Sequence, residues 1–386
     1  MTRLFRLIVL VCATLVPTVV FAAPPSIAVI GGETLVFDWS TQRCEDFDFP
    51  DLPARAFRDV DGLVHLVSTT YINRQAVGRT LNTVVHECPV VLNSTENPAP
   101  SAYAGFEWLA ALYTTDGETV HALVHNEFQG NVFGLCASGS YLSCWYNAIT
   151  GYLSTDRGQT YGRTGLVASV PYPYVPDAGP YGYFMPSNIV LKNGYYYALF
   201  QAEPYGAQRV GTCAMRTTTL EDPASWRFWT GRDWTGEFAN PYEGASNPSS
   251  HVCTPVSFNR LEKMHESLTW NTYWQKWLLI GSAGNWVNGV PRYGFYFSLS
   301  DNLTTWSNRT LFYEAPIWNW TCGDPDPLSY PTALDPASTD RNFGTTGSNF
   351  DLYFVRQHMA DNCAGTLDRD LIRVPVRVSG SIGRIR

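Results

Sequence analysis

Three acids occupy comparable places in the chain. Asp51 lies 11 positions before the turn glycine Gly62, Glu107 lies 10 before Gly117, and Glu266 lies 9 before Gln275, which aligns with those glycines. Each therefore stands near the start of a strand that leads into a hairpin turn. Carboxylates delivered to one funnel by separate strands can divide acid and base work, provided one is held protonated and another ionised near neutral pH. Hydrolysis of an acetal linkage uses such a pair. A carboxylate taken alone is as readily a solvated surface group; the strand-start placement distinguishes these three.

Other polar residues fall in equivalent or adjacent positions. His125-Asn126-Glu127 closes an apolar strand that runs through Leu123-Val124, an unusual ending for a buried strand without polar partners. Where the third hairpin would carry its acid it has Ser187-Asn188, and the fifth has Tyr330. His265 precedes Glu266. Arg55 and Arg58 could clamp an anionic group, although Arg58 could equally pair with its neighbour Asp59. Trp108, Trp145, Trp270 and Trp286 are candidates for stacking on sugar faces, while most of the 13 tryptophans must serve packing.

The elements that position these residues recur. Five segments share an apolar-alternating strand, a short turn and an aromatic-rich strand: Ala56–Leu66, Phe106–Val124, Ser187–Leu199, Glu266–Ile280 and Tyr330–Val355. Asp116-Gly117 and Asn193-Gly194 favour two-residue hairpins, because both central residues must reach positive φ. Further strands at 148–153, 212–217 and 295–299 each lead into a polar turn and an aromatic residue. Two hairpins per repeat make a four-stranded sheet. Five such sheets imply an all-β, five-bladed β-propeller of four-stranded antiparallel blades. The unpaired strands 27–37 and 371–378 are expected to meet in one blade and close the ring.

With those segments in view, the chain resembles known families. Ser154-Thr155-Asp156-Arg157-Gly158-Gln159-Thr160-Tyr161 is similar to the Asp-box of sialidases, a turn-stabilising device remote from their chemistry. The five-hairpin pattern, with Ser298-Leu299-Ser300-Asp301 and Trp306 in the fourth repeat, resembles the five-bladed furanosidase glycoside hydrolases, the arabinanase and xylosidase group. That resemblance covers nearly all of the chain after residue 22. It implies a glycoside hydrolase acting by inversion, with Asp51 as general base, Glu266 as general acid and Glu107 as the orienting carboxylate. Arg55, Arg58, His125, Asn126, Glu127, Asn188, His265, Trp270 and Tyr330 are then the candidate sugar contacts. A sialidase-like exo-glycosidase, with Arg58 and a Tyr330 nucleophile, is the enzyme alternative. A sugar-binding propeller without catalysis is the other.

Composition narrows the field. A formal net charge of -8 gives no basic footprint for nucleic acid. Arg3 and Arg6, the apolar stretch 7–21 and the small residues Ala22-Ala23 have the order of a secretory signal, residues 1–22, with one propeller domain expected over 23–386. Its removal takes Cys12 and leaves eight cysteines, read as the disulfides Cys44–Cys88, Cys136–Cys144, Cys213–Cys253 and Cys322–Cys363 rather than as a zinc site. The expected product is a secreted or periplasmic monomer with a carbohydrate partner and no membrane contact after signal removal. No cofactor or metal is expected, and nothing indicates a structural Ca2+ near the axis.

Overall fold

The computed structural model describes residues 23–244 and 247–381. The segment assigned to an export signal, 1–22, lies outside the described residues. Within them, helix is confined to short single turns and the strands fall into successive antiparallel units.

The first unit contains β3 (Arg55–Arg58), β4 (Val64–Val67), β5 (Ile72–Gly78) and β6 (Val85–Asn93), preceded by β1 (Ser26–Val29) and β2 (Thr34–Phe37). The second contains β7 (Phe106–Tyr113), β8 (Val120–Gln129), β9 (Trp145–Ser154) and β10 (Gly162–Ala168). In the third, β11 (Tyr181–Pro186) and β12 (Val190–Lys192) share the partner β13 (Tyr195–Glu203), followed by β14 (Gly211–Thr217), β15 (Arg227–Phe228) and β16 (Gly236–Glu237). The fourth is β17 (Ser267–Asn271), β18 (Lys276–Val287), β19 (Val290–Ser300) and β20 (Thr310–Glu314). The last has β21 (Leu328–Leu334), β23 (Asn349–Met359) and β24 (Gly365–Ser379), while β22 (Thr345–Thr346) pairs in parallel with β17 of the fourth unit.

Strands from both ends of the chain pair as expected. β1 and β2 both lie antiparallel to β24, with Ile27 opposite Val378 and Leu35 opposite Ile372. Units two and three are not separate sheets, because β11 pairs in parallel with β9 and joins them into ten strands. The turns also differ from expectation. Of the two expected two-residue hairpins, Asn193-Gly194 is one, with both φ values positive at 51° and 79°, and Asn288-Gly289 between β18 and β19 is another that was not expected, at 52° and 79°. The Asp116-Gly117 connection spans six residues, and the Asp116 carboxylate accepts the Glu118 and Thr119 N–H groups, each at 2.8 Å. That side chain replaces the main-chain pairing of a tight turn.

Apolar side chains collect between consecutive units. Phe57 and Val67 pack on Leu109 and Val124; Tyr146 and Ala148 on Phe200 and Met215. Leu199 and Ala214 meet Leu268 and Leu279; Leu278 and Phe297 meet Leu352 and Val374; Tyr353 and Val355 meet Ala56 and Leu66 of the first unit. Each fully buried Phe or Leu in these seams contributes about 1.5–3 kcal/mol. All four expected disulfides are present.

Candidate active site

The starts of the first strands converge on a cavity of ≈ 910 Å³ whose lining includes Asp51, Glu127 and Glu266. Asp51 sits on the approach to β3. Arg369 of β24 forms an ion pair with it, and the Tyr330 hydroxyl donates to it at 3.2 Å. Burial raises the Asp51 carboxyl from its ordinary range, outweighing the nearby Arg369 charge, and the neighbouring Glu127 charge pushes the same way. Tyr330 reaches this position from a left-handed backbone conformation, φ 58°, uncommon for a residue with a side chain. Burial and the Asp51 charge hold its hydroxyl protonated well beyond neutral pH.

Glu266 directly precedes β17. One of its oxygens accepts the His265 N–H at 2.9 Å and the other accepts the Ser282 N–H on β18 at 2.8 Å. The carboxylate lies so close to β18 that a Cβ at Gly281 would overlap it. His265 donates from Nδ1 to the Lys263 carbonyl at 2.7 Å, and burial lowers its pKa below the usual histidine value. Its proton is therefore on Nδ1 and its Nε2 is bare.

Glu127, near the end of β8, is the third cavity carboxylate. It accepts from His125 Nε2 at 3.0 Å, Gln129 at 2.7 Å and the Tyr141 hydroxyl at 3.4 Å. His125, His265, Glu127 and Tyr330 thus join Asp51 and Glu266 around connected cavities.

Glu107 does not face the cavity. Successive residues of β7 point to opposite faces, so Phe106 and Trp108 line the cavity while Glu107 points between units one and two. There it is fully buried, accepts from Thr95 N at 3.2 Å, and is bonded by the Tyr152 hydroxyl. Asn126, opposite Glu107, shares that parity and donates to the Tyr103 carbonyl at 2.8 Å.

Four further candidates have structural partners instead of a place on the cavity. Asn188 clamps β17 by donating to Leu268 O and accepting from Leu268 N. Trp270 packs against Trp277 with centroids 5.3 Å apart. Arg58 donates to Asp340 O at 2.9 Å and lies over the Phe343 ring. Arg55 is buried where the units meet. It donates to Ala110 O, Pro186 O, Glu266 O and Thr332 Oγ1 at 2.7, 3.3, 2.8 and 3.4 Å, one acceptor from each of the other four units. Burial pulls its pKa down to about 9, with Glu266 opposing the shift, so it remains a cation at neutral pH.

Trp108 and Trp145 line the cavity, whereas Trp286 is exposed on a hairpin tip. Arg369, Tyr141, Gln201 and Trp318 were not anticipated. Arg369 lies 318 residues from Asp51 along the chain, a contact that local spacing does not encode.

No protein-family profile and no curated protein sequence matches this chain. Solved structures do. A family 117 glycoside hydrolase produced by the marine bacterium Zobellia galactanivorans aligns over 92% of this chain and 90% of its own, with a TM-score of 0.50 at 13% identity. The fold is shared with that protein, and neighbours of this kind are five-bladed β-propellers. An exo-1,5-α-L-arabinanase from a bovine ruminal metagenomic library covers 86% of this chain and 95% of its own, at TM-score 0.46 and 11% identity. An α-L-arabinanase of Cellvibrio cellulosa complexed with arabinohexaose covers 84% and 92%, at 0.47 and 11%. The fold assignment rests on the first.

Proposed function

We propose that the protein is an exported glycoside hydrolase that cleaves an oligosaccharide or polysaccharide by inversion. One observation carries this reading: Asp51, Glu127 and Glu266, from three different units, line a single cavity. Asp51, its proton affinity raised by burial, serves as general base on water. Glu266, fixed by two backbone N–H groups, serves as general acid on the leaving oxygen. Glu127 takes the orienting position for which Glu107 was the sequence candidate. Inversion calls for carboxyl groups ~6.5–9.5 Å apart, leaving room for the water.

The same reading treats the five units as blades of one closed propeller over residues 23–386, acting as a monomer. The pairing of β1 with β24 and the packing of the fifth unit on the first support closure. Arg55 supplies the positive charge at the centre from the protein itself. Four disulfides fit an oxidising compartment, hence export.

A sialidase-like site would need several arginines around a substrate carboxylate. Arg369 is the single arginine on the cavity lining among the described residues, and Asp51 engages it. The test is a polysaccharide panel scored for reducing ends, run with the parent and Glu266→Gln. Release by the parent and a loss of about 10³-fold per folded molecule in the variant are expected, with some loss of stability because the new amide N–H faces one of the two backbone N–H donors. Sugar binding without product on every substrate would instead identify a non-catalytic carbohydrate-binding propeller.

A further inference from the structure

Three segments of the fifth unit meet on one imidazole. His358 of β23 places Nδ1 2.9 Å from an Asp326 oxygen and Nε2 2.9 Å from an Asp370 oxygen. An ionised carboxylate only accepts, so serving both takes an N–H on each ring nitrogen, which is the imidazolium form. Each of the three residues is the chain neighbour of one that lines the cavity: Asp326 of Pro327, His358 of Gln357, and Asp370 of Arg369. The pleat turns such neighbours to opposite faces, so the group sits behind the wall from which Arg369 reaches Asp51.

Main-chain pairing is broken at this point. Gln357 lies opposite Arg369 and Met359 opposite Gly365, so three residues of β24 face His358 alone. Side chains bridge the gap: His358 to Asp370, Gln357 to the Thr366 carbonyl at 2.9 Å, and the Thr366 hydroxyl to the His358 carbonyl. Asp370 also accepts the Trp39 N–H at 3.1 Å, and Asp326 the Met359 N–H at 3.0 Å. The disulfide Cys322–Cys363 ties the outer ends of the same segments, so loss of the imidazolium would loosen the wall and not detach it.

The surrounding charge favours the proton. Partial burial disfavours it most strongly as a single influence, but the bonds to Asp370 and Asp326 and the Asp370 and Asp368 charges together outweigh burial and raise the His358 pKa above the usual histidine value. Asp38 adds a further negative charge next to Asp368. The nearby cations are Arg43, which faces Asp368, and Arg356, which is held by Glu33 and feels Asp326. A pKa raised in the folded state gives stability that is present at acid pH and lost as pH rises through that pKa.

We propose that His358 is a proton-operated clasp: protonated, it fastens the wall that carries Arg369 to β23 and to the approach of β21; neutral, it releases one carboxylate and segment 365–370 loosens. Only the consequence for turnover rests on the sugar-cleaving reading above.

The experiment follows the parent, His358→Gln and Asp326→Asn by histidine NMR and by hydrogen exchange between about pH 5 and pH 9. The resonance missing from His358→Gln should titrate about one unit or more above the ordinary ~6.5 in the parent. It should titrate lower in Asp326→Asn, which keeps an acceptor for the Met359 N–H. Near pH ~5.5 the 365–370 amides should exchange about tenfold faster in His358→Gln than in the parent, and the two should converge near pH ~9. Comparing proteins at one pH cancels the intrinsic pH dependence of exchange. A parent midpoint at or below ~6.5, or an exchange ratio equal at both pH values, would overturn the proposal. On a substrate from the panel, the parent-to-variant ratio of kcat/KM should exceed one at the acid pH and approach one at the alkaline pH; a flat ratio would remove the consequence for turnover. The expected titration and exchange with no hydrolysis by the parent would sink the hydrolase reading and leave the clasp standing. Hydrolysis with an unresponsive His358 would do the reverse.

Discussion

Glu107 and Glu127 sit on adjoining strands of one hairpin, yet they live in different surroundings. Phe106 pairs with Glu127, and Glu107 pairs with Asn126. One step along the strand therefore decides whether a glutamate faces the cavity or the seam between two units. On the seam side, Thr95 and Tyr152 hold Glu107 in a fixed, fully buried network. On the cavity side, Glu127 lies among His125, Gln129 and Tyr141, with Asp51 near enough to feel its charge. Two arginines repeat the contrast. Arg55 is tied to main chain and a threonine around the centre, whereas Arg369 reaches into the cavity and pairs with the Asp51 carboxylate. The lesson is that residue type and strand position nominate a side chain, and the parity of the pleat assigns it to structure or to chemistry.

The contrast can be broken at its strongest point first. Arg55→Met leaves four acceptors of neighbouring units without their buried donor, and should cost about 3 kcal/mol or more in urea unfolding. Arg369→Gln, a cavity change, should cost far less. Comparable losses would erase the distinction between the two arginines.

The next effect concerns the seam. Glu107→Gln sets an amide N–H against the Thr95 and Tyr152 donors, and should cost about 1–3 kcal/mol in the same assay. An unshifted unfolding midpoint would show that the seam carboxylate is dispensable.

The smallest effect sharpens the cavity side. If Asp51 must be ionised to act as base, the acid limb of kcat/KM lies above the ordinary carboxylate range, because its folded-state pKa is raised. Arg369 opposes that rise. Removing its charge in Arg369→Gln should therefore move the limb to still higher pH, by roughly one to three units. A limb that stays put or moves down would take Asp51 out of the base role.

The sequence made the frame legible for a physical reason. Alternating strands, positive-φ turn residues and nearby cysteine pairs are local, and the hairpins, the Asn193-Gly194 turn and the four disulfides follow from them. The place of Asp51 and Glu266 on the cavity lining was also legible, because both stand at the approaches to strands and not within them. Glu107 was misplaced because it lies inside β7, where a bulge-tolerant pleat decides the face and spacing to a turn does not. The join between β9 and β11, and the contact of Arg369 with Asp51, bring together segments that lie apart in the chain. No local pattern encodes those.

The most direct measurement compares Glu127→Gln with Glu107→Gln on a substrate found in the polysaccharide panel, with kcat/KM expressed per folded molecule. Glu127→Gln should lose about 10²-fold or more at a nearly unchanged melting temperature, while Glu107→Gln keeps parental turnover in a less stable protein. Full activity in Glu127→Gln with inactivity in folded Glu107→Gln would contradict the account, placing the chemistry on the opposite face of the hairpin.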